Sequence, residues 1–133
     1  MHIVRVEGVF KDYFLGNQIV QALSNITLDI EQGVFLAISG PSGSGKSTLL
    51  NLLGALDRPT TGVCMVNGQD LAKVKDIDRF RSKTVGFVFQ LHNLIPTLTS
   101  VENIEVPLQE EKMSDNARRQ RAELLLKLVG LGD

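Results

Sequence analysis

The stretch "AISGPSGSGKSTLL", residues 37–50, decides the fold of this 133-residue chain. Four of its positions follow the pattern G-x-x-x-x-G-K-[ST], namely Gly40, Gly45, Lys46 and Ser47. Glycines let the backbone turn so that successive N–H groups point inward, and a helix that follows presents its positive end to the same place. The spacing therefore predicts a loop that binds phosphate groups between a strand and a helix.

The segments before this loop have the residue patterns of β-strands. "IVRVEGV" (3–9) and "NITLDI" (25–30) alternate apolar and polar residues, which predicts antiparallel strands with one face in water. "VFLAIS" (34–39) is apolar on both faces, as expected of a strand buried in a parallel sheet. The sequence thus predicts an α/β fold of the P-loop NTPase type, with a parallel sheet core and an N-terminal antiparallel β part.

Helices and strands continue after the loop. A helix is expected over "STLLNLLGALD" (47–57), with four leucines on one face: Leu49, Leu52, Leu53 and Leu56. We expect strands over 63–66 and 84–90, a turn at Asn67-Gly68 and a short helix over 75–83. These elements alternate as the α/β fold requires.

Two further helices are predicted near the end of the chain. Thr99 and Glu102 have the spacing of a capping box, so a helix should run from about Val101 to near Pro107. Residues 114–132 predict an amphipathic helix that packs against the core through the face of Leu124, Leu125 and Leu128, with a Glu123–Lys127 pair and a stop at Gly130.

Composition excludes several classes of function. The net charge of −1 gives no field that would gather nucleic acid, and 43% apolar residues are ordinary for a globular protein. The start of the chain lacks the pattern of a secretory signal, and the richest apolar stretch is far shorter than the roughly 20 residues that cross a bilayer. We therefore expect a soluble, cytoplasmic, single-domain chain that does not bind nucleic acid. The single cysteine, Cys64, lies in a predicted strand and is expected to be a buried apolar residue.

Two reactive-looking features have a simpler interpretation. His92 has no partner in the sequence that would make it a proton carrier, so we interpret it as a surface imidazole. The arginines of "RRQR" (118–121) could form a lid over phosphate groups, but their helical setting favours a solvated face.

The sequence resembles the ATP-binding subunits of ABC transporters, within the subgroup that serves lipoprotein release and macrolide or peptide export. Three stretches carry the resemblance: "GPSGSGKSTLLNLLGALDRPTTG" (40–62), "VGFVFQLHNLIPTLTSVENIEVPL" (85–108) and the final helix ending "LVGLGD" (128–133). The resemblance implies ATP and Mg²⁺ as ligands. It also implies a transmembrane permease as partner, and pairing with a second ATP-binding subunit, as a homodimer or with another chain. The subunit would then be cytoplasmic and peripheral to the inner membrane.

The resemblance also assigns roles to residues. The phosphate loop would bind the nucleotide through nine residues: Gly40, Pro41, Ser42, Gly43, Ser44, Gly45, Lys46, Ser47 and Thr48. Lys46 would be catalytic, and Ser47 would ligate Mg²⁺. Gln90 would be the Q-loop glutamine, which touches Mg²⁺ and the attacking water, and Tyr13 would stack on the adenine ring. From the residues alone, Gln90 ends a predicted strand at the ligand edge of a parallel sheet, with a solvated loop residue as the alternative, and Tyr13 could equally be a packing aromatic.

Hydrolysis needs parts that the sequence does not show. No apolar strand ending in an acidic pair follows Gln90, and the family's signature motif, Walker B strand and switch histidine would all lie after residue 133. We interpret residues 1–133 as the N-terminal part of an ABC-type ATP-binding domain, one that should not hydrolyse ATP efficiently alone. The alternatives are a nucleotide- or partner-binding module without turnover, from a truncated or split domain, and a small P-loop phosphotransferase.

Overall fold

The computed structural model describes residues 2–91 and 93–132, so the interpretation of His92 lies outside the described residues. The chain divides into two compact units, Met1–Phe87 and Val88–Asp133. The first unit contains the predicted phosphate-binding stretch, and the second contains the two C-terminal helices.

The first unit is built on a four-stranded antiparallel sheet. Its strands are β1 (His2–Leu15), β2 (Gln18–Glu31), β3 (Thr61–Val66) and β4 (Gln69–Asp70), in the order β2-β1-β3-β4. Strands β1 and β2 form a long hairpin, and β1 also pairs with β3. The predicted antiparallel β part is therefore confirmed, with longer strands than the alternating pattern indicates.

A register irregularity in β1 keeps its valines on the buried face. Val4 and Val6 alternate into the core, and the shift between Val6 and Val9 brings the odd-numbered Val9 to the same side. All three valines are buried. The irregularity thus extends the apolar face of the strand beyond the length that strict alternation would give.

Two helices complete the first unit. Helix α1 (Lys46–Leu53) begins inside the phosphate-binding stretch and buries Leu49 and Leu52, and α2 (Ile77–Thr84) buries Phe80. Asp76 caps α2 by accepting a hydrogen bond from the N–H of Arg79. Leu56, predicted on the same helical face as Leu49, lies beyond the end of α1 and is exposed.

Two predicted strands are absent from the described residues. Neither 34–39 nor 84–90 is a β-strand, and Phe35 is 97% exposed. An apolar run becomes a strand only when a neighbouring strand satisfies its N–H and C=O groups, and the sheet of the first unit has no strand paired with residues 34–39 in the described part of the chain. The expectation for these two segments was therefore wrong in the described part of the chain.

The second unit is a helical pair. Helix α3 (Ser100–Leu108) begins at Thr99 with the predicted capping box, and α4 (Asp115–Leu128) is capped by the hydroxyl of Ser114. The predicted apolar face of α4 was wrong: Ala122 and Leu126 are buried, whereas Leu124, Leu125 and Leu128 are exposed. Ala122 and Leu126 are four residues apart, so they share a helical face.

Candidate functional site

The phosphate loop leads directly into α1. Gly45, the residue before the helix, has a left-handed backbone with φ of 87° and no side chain that could cap the first turn. A Cβ on Gly45 would lie 2.6 Å from the carbonyl oxygen of Ala22 and 2.8 Å from a Leu23 methyl group. The loop therefore packs closely on β2, and the N–H groups of the first helical turn are left available to an anion.

The ammonium group of Lys46 lies over the loop. It donates hydrogen bonds to the carbonyl oxygens of Gly40, at 2.8 Å, and Pro41, at 2.6 Å. A longer contact of 3.4 Å joins it to the hydroxyl of Ser44. A full positive charge is thus concentrated at the opening of a loop rich in backbone N–H groups, which is an arrangement suited to phosphate.

The remaining loop residues are accessible to a ligand. Pro41, Ser42, Gly43 and Ser47 are exposed, and Thr48 is half-buried in the first turn of α1. The hydroxyl oxygen of Ser47 is a hard donor of the kind that Mg²⁺ accepts, and Mg²⁺ on phosphates takes only one or two protein ligands. The donor set of the loop therefore fits a magnesium ion carried by a nucleotide.

Tyr13 lies near the end of β1, and its hydroxyl donates a hydrogen bond of 2.9 Å to Asp57 Oδ2. The ammonium of Lys11 donates to Asp57 Oδ1 at 2.6 Å and lies 4.9 Å from the centre of the Tyr13 ring. Tyr13 also pairs with β2 at Val20, close to the point where the phosphate loop packs on that strand. The structure thus places Tyr13 near the phosphate loop.

Asp57 is held in its charged form. Partial burial acts to raise the pKa of its carboxyl, but the hydrogen bonds from Lys11, the Arg58 N–H and Tyr13 outweigh burial and lower that pKa below its ordinary value. The pKa of Tyr13 is raised, first by burial and then by its hydrogen bond to Asp57 and the charge of that carboxylate. Around pH 7 the pair is therefore a carboxylate that accepts from a neutral phenol.

Sequence reasoning missed Asp57 and Lys11. Asp57 follows Tyr13 by 44 positions in the chain, so no local pattern connects the two residues. The available signal was a carboxylate at the end of the predicted helix, in "LDRP", together with a lysine two residues before an aromatic. Neither signal predicts the contact without the fold.

Gln90 lies in the second unit. It is exposed, at a bend that follows the irregular segment 85–89. Its assigned role as a ligand of Mg²⁺ and water stays a prediction.

The structure bears on two of the simpler interpretations, those of Cys64 and of the arginines in 118–121. Burial, with a smaller effect of the Asp70 charge, raises the pKa of the Cys64 thiol to about 11, so this cysteine is unreactive at neutral pH. The side chains of Arg119 and Arg121 are 63% and 54% exposed, as a solvated face requires, and they pair with Glu123 and Glu111. The prediction was wrong for Arg118, whose side chain is 19% exposed and pairs with Asp115. Among the described residues, no helix has the length and apolar character that a membrane span requires.

Comparisons with known proteins identify the family. The family model for the ABC transporter matches residues 23–133. The chain is 46% identical to the macrolide export ATP-binding/permease protein MacB of Brucella abortus, over 98% of this chain and 21% of that protein. It is 43% identical to an uncharacterized ABC transporter ATP-binding protein of Thermotoga maritima, over 98% of this chain and 57% of that protein.

Solved structures agree. A dimeric structure of the ATP-binding cassette MJ0796, in a post-hydrolysis state with ADP and Pi, superposes with a TM-score of 0.81 at 43% identity. That match covers 96% of this chain and 57% of the other, and MJ0796 comes from Methanocaldococcus jannaschii. The predicted α/β fold of the P-loop NTPase type is confirmed by this likeness. The chain spans little more than half the length of such relatives, and it belongs to the ATP-binding family of ABC transporters.

Proposed function

We propose that this chain binds ATP with Mg²⁺ through its phosphate loop, as the nucleotide-binding component of an exporter powered by ATP hydrolysis. The observation that carries the proposal is the position of Lys46, whose ammonium lies at the loop opening beside the start of α1. Family membership supports ATP as the nucleotide, and one relative of known structure was solved with ADP and Pi.

Binding would exchange one set of Lys46 contacts for another. Its ammonium now donates to the neutral carbonyl oxygens of Gly40 and Pro41. Phosphate oxygens carry negative charge and accept stronger hydrogen bonds, so they would displace these carbonyls while the first-turn N–H groups of α1 bind the same phosphates.

Mg²⁺ would be held by the Ser47 hydroxyl, phosphate oxygens and water, with Gln90 as a further candidate ligand. When bound, the ion neutralises charge on the phosphates during transfer. The aromatic ring of Tyr13, on the strand that pairs with β2 near the loop, is the candidate surface for the adenine ring.

The transport role rests on the relatives. MacB is described as a macrolide export ATP-binding and permease protein, and MJ0796 was solved as a dimer. We extend both properties to this chain as proposals: a transmembrane permease as partner, a second ATP-binding subunit, and a peripheral position at the cytoplasmic face of the membrane. The exported compounds would be lipoproteins, peptides or macrolide-like molecules.

Residues 1–133 would supply the phosphate loop and Q-loop part of the ATP-binding domain. Catalysis by Lys46 and Gln90 would further require a carboxylate that orients the attacking water. We expect the chain on its own to bind ATP with slow turnover or none.

Lys46→Ala tests this proposal. Titration calorimetry of the 133-residue chain with ATP and Mg²⁺ should give saturable binding, and the variant should bind at least about tenfold more weakly because a charge-assisted contact to phosphate is lost. The matched control is Lys75→Ala, since Lys75 is exposed in the loop before α2 and should leave the affinity unchanged.

Equal affinity of Lys46→Ala and the wild type would contradict the proposal, provided that both give the same circular dichroism spectrum. Release of phosphate measured in parallel separates binding from turnover. Turnover that disappears in Lys46→Ala would show that these residues hydrolyse ATP without further sequence.

A further inference from the structure

Three side chains beside the phosphate loop form a connected group, which we name the Tyr13 cluster: Lys11, Tyr13 and Asp57. Lys11 and Tyr13 come from the end of β1, and Asp57 comes from the turn after α1. The cluster therefore joins the strand that carries Tyr13 to the helix that begins at the loop.

Both carboxylate oxygens of Asp57 are used in this group. Oδ2 accepts from the Tyr13 hydroxyl, while Oδ1 accepts from the Lys11 ammonium and, at 2.7 Å, from the N–H of Arg58. The Lys11 ammonium also donates to the carbonyl oxygen of Arg58 at 2.9 Å. Asp57 is thus fixed by the two groups that hold Oδ1, which leaves Oδ2 directed at the phenol.

Partial burial strengthens this arrangement. The side chains of Lys11 and Asp57 are 11% and 29% exposed, so their ion pair is less screened by water than a surface pair. Lys11 also lies over one face of the Tyr13 ring, at 4.9 Å from its centre. The ring is therefore restrained at its hydroxyl and on one face.

The restrained Tyr13 ring lies close to the phosphate loop. Tyr13 pairs with Val20 of β2, two residues from Ala22, and Gly45 of the phosphate loop packs on Ala22. A nucleotide whose phosphates occupy the loop extends its sugar and base away from it, and an aromatic ring already fixed at the edge of the loop loses little freedom when a base stacks on it.

We infer that Asp57 is a positioning residue, which holds the Tyr13 ring in the orientation that stacks on the nucleotide base, and that Lys11 keeps Asp57 in place. The inference rests on the proposed function, because it assumes that the loop binds the triphosphate. Asp57 would thus affect the affinity for the base without contacting the nucleotide.

The experiment compares two ligands on the full 133-residue chain. ATP has a base, whereas inorganic tripolyphosphate offers the loop its phosphates alone. Asp57→Asn and Tyr13→Phe should each weaken ATP binding about three- to tenfold and leave tripolyphosphate binding unchanged. The matched control is Asp78→Asn, which removes an exposed carboxylate paired with Arg81 and should change neither affinity.

A double-mutant cycle separates positioning from a general structural role. If Asp57 acts through the phenol, Asp57→Asn should cost little further ATP affinity once Tyr13→Phe has removed the hydroxyl. Additive losses, or an equal loss for ATP and tripolyphosphate, would overturn the inference.

Tyr13→Phe keeps the inference testable should Asp57→Asn fail to fold, because it retains the ring and the Lys11–Asp57 ion pair. Wild-type affinity for ATP in that folded variant would overturn the inference by itself. Absence of binding of both ligands to the wild type would instead overturn the proposed function together with the inference.

Discussion

At the residue scale, the phosphate loop places two glycines in similar backbone conformations but different surroundings. Gly43 and Gly45 have φ values of 78° and 87°, a region that side chains with a Cβ rarely adopt. A Cβ on Gly43 would meet nothing within 4 Å, whereas one on Gly45 would meet the backbone of Ala22. Substitutions at these two glycines therefore distinguish the cost of backbone strain from the cost of disturbing the packing of the loop on β2.

We expect Gly43→Ala to lower the free energy of unfolding by about 1 kcal/mol through backbone strain alone. Gly45→Ala should cost about 1 to 3 kcal/mol more, because the methyl group forces the loop away from β2. Urea denaturation followed by circular dichroism measures both values. Equal losses for the two variants would show that the loop does not pack on Ala22 as described.

At the element scale, α3 begins with a reciprocal pair of contacts. The Thr99 hydroxyl accepts from the N–H of Glu102 at 3.3 Å, and Glu102 Oε2 accepts from the N–H of Thr99 at 2.7 Å and from its hydroxyl at 2.8 Å. The N–H and hydroxyl of Thr99 lower the pKa of the Glu102 carboxyl. The start of α3 is therefore coupled to one titrating side chain.

The direction of the resulting pH dependence follows from linkage. A carboxyl with a lowered pKa in the folded state contributes its full stabilisation above the ordinary glutamate pKa, and this contribution disappears as pH falls through the lower, folded value. We expect the hydrogen-exchange protection of the Thr99 N–H, relative to its intrinsic rate, to fall as pH drops from 6 to 3.

Glu102→Gln should remove this titration, since its amide is neutral at every pH tested. The start of α4 provides a control, because the hydroxyl of Ser114 accepts from the N–H of Ala117 there and no glutamate takes part in the cap. The hydrogen-exchange protection of the Ala117 N–H should therefore change less over the same pH range. An unchanged pH profile for Thr99 in Glu102→Gln would contradict the coupling.

Local patterns explain which elements of the whole molecule were predictable. The alternation in β1 and β2, the Asn67-Gly68 turn and the capping box each involve residues close in sequence, and all agree with the structure. The phosphate loop is also a local feature. Its glycines, its lysine and the start of α1 all lie within one short stretch of sequence.

Features that depend on distant residues were not predictable in this way. The segment 34–39 has the composition of a buried strand, yet no strand pairs with it among the described residues. In α4 the buried residues are Ala122 and Leu126 rather than Leu124, Leu125 and Leu128, and the described element in contact with α4 is α3. The contact between Tyr13 and Asp57 likewise spans 44 positions and needs the fold to bring it about.

The exposed segment 34–39 provides a test at the scale of the whole molecule. Phe35 is 97% exposed, whereas Leu52 is 1% exposed in the core of the first unit. Phe35→Ser should change the free energy of unfolding by less than about 0.5 kcal/mol, as expected for a surface position, while Leu52→Ala should lower it by about 2 to 5 kcal/mol. Phe35→Ser should also reduce binding of the dye ANS and increase solubility, because it removes a large apolar group from water. If Phe35→Ser lowered the free energy of unfolding as much as Leu52→Ala, residues 34–39 would have to be packed in a sheet in solution. Strands other than the described ones would then supply their backbone hydrogen bonds.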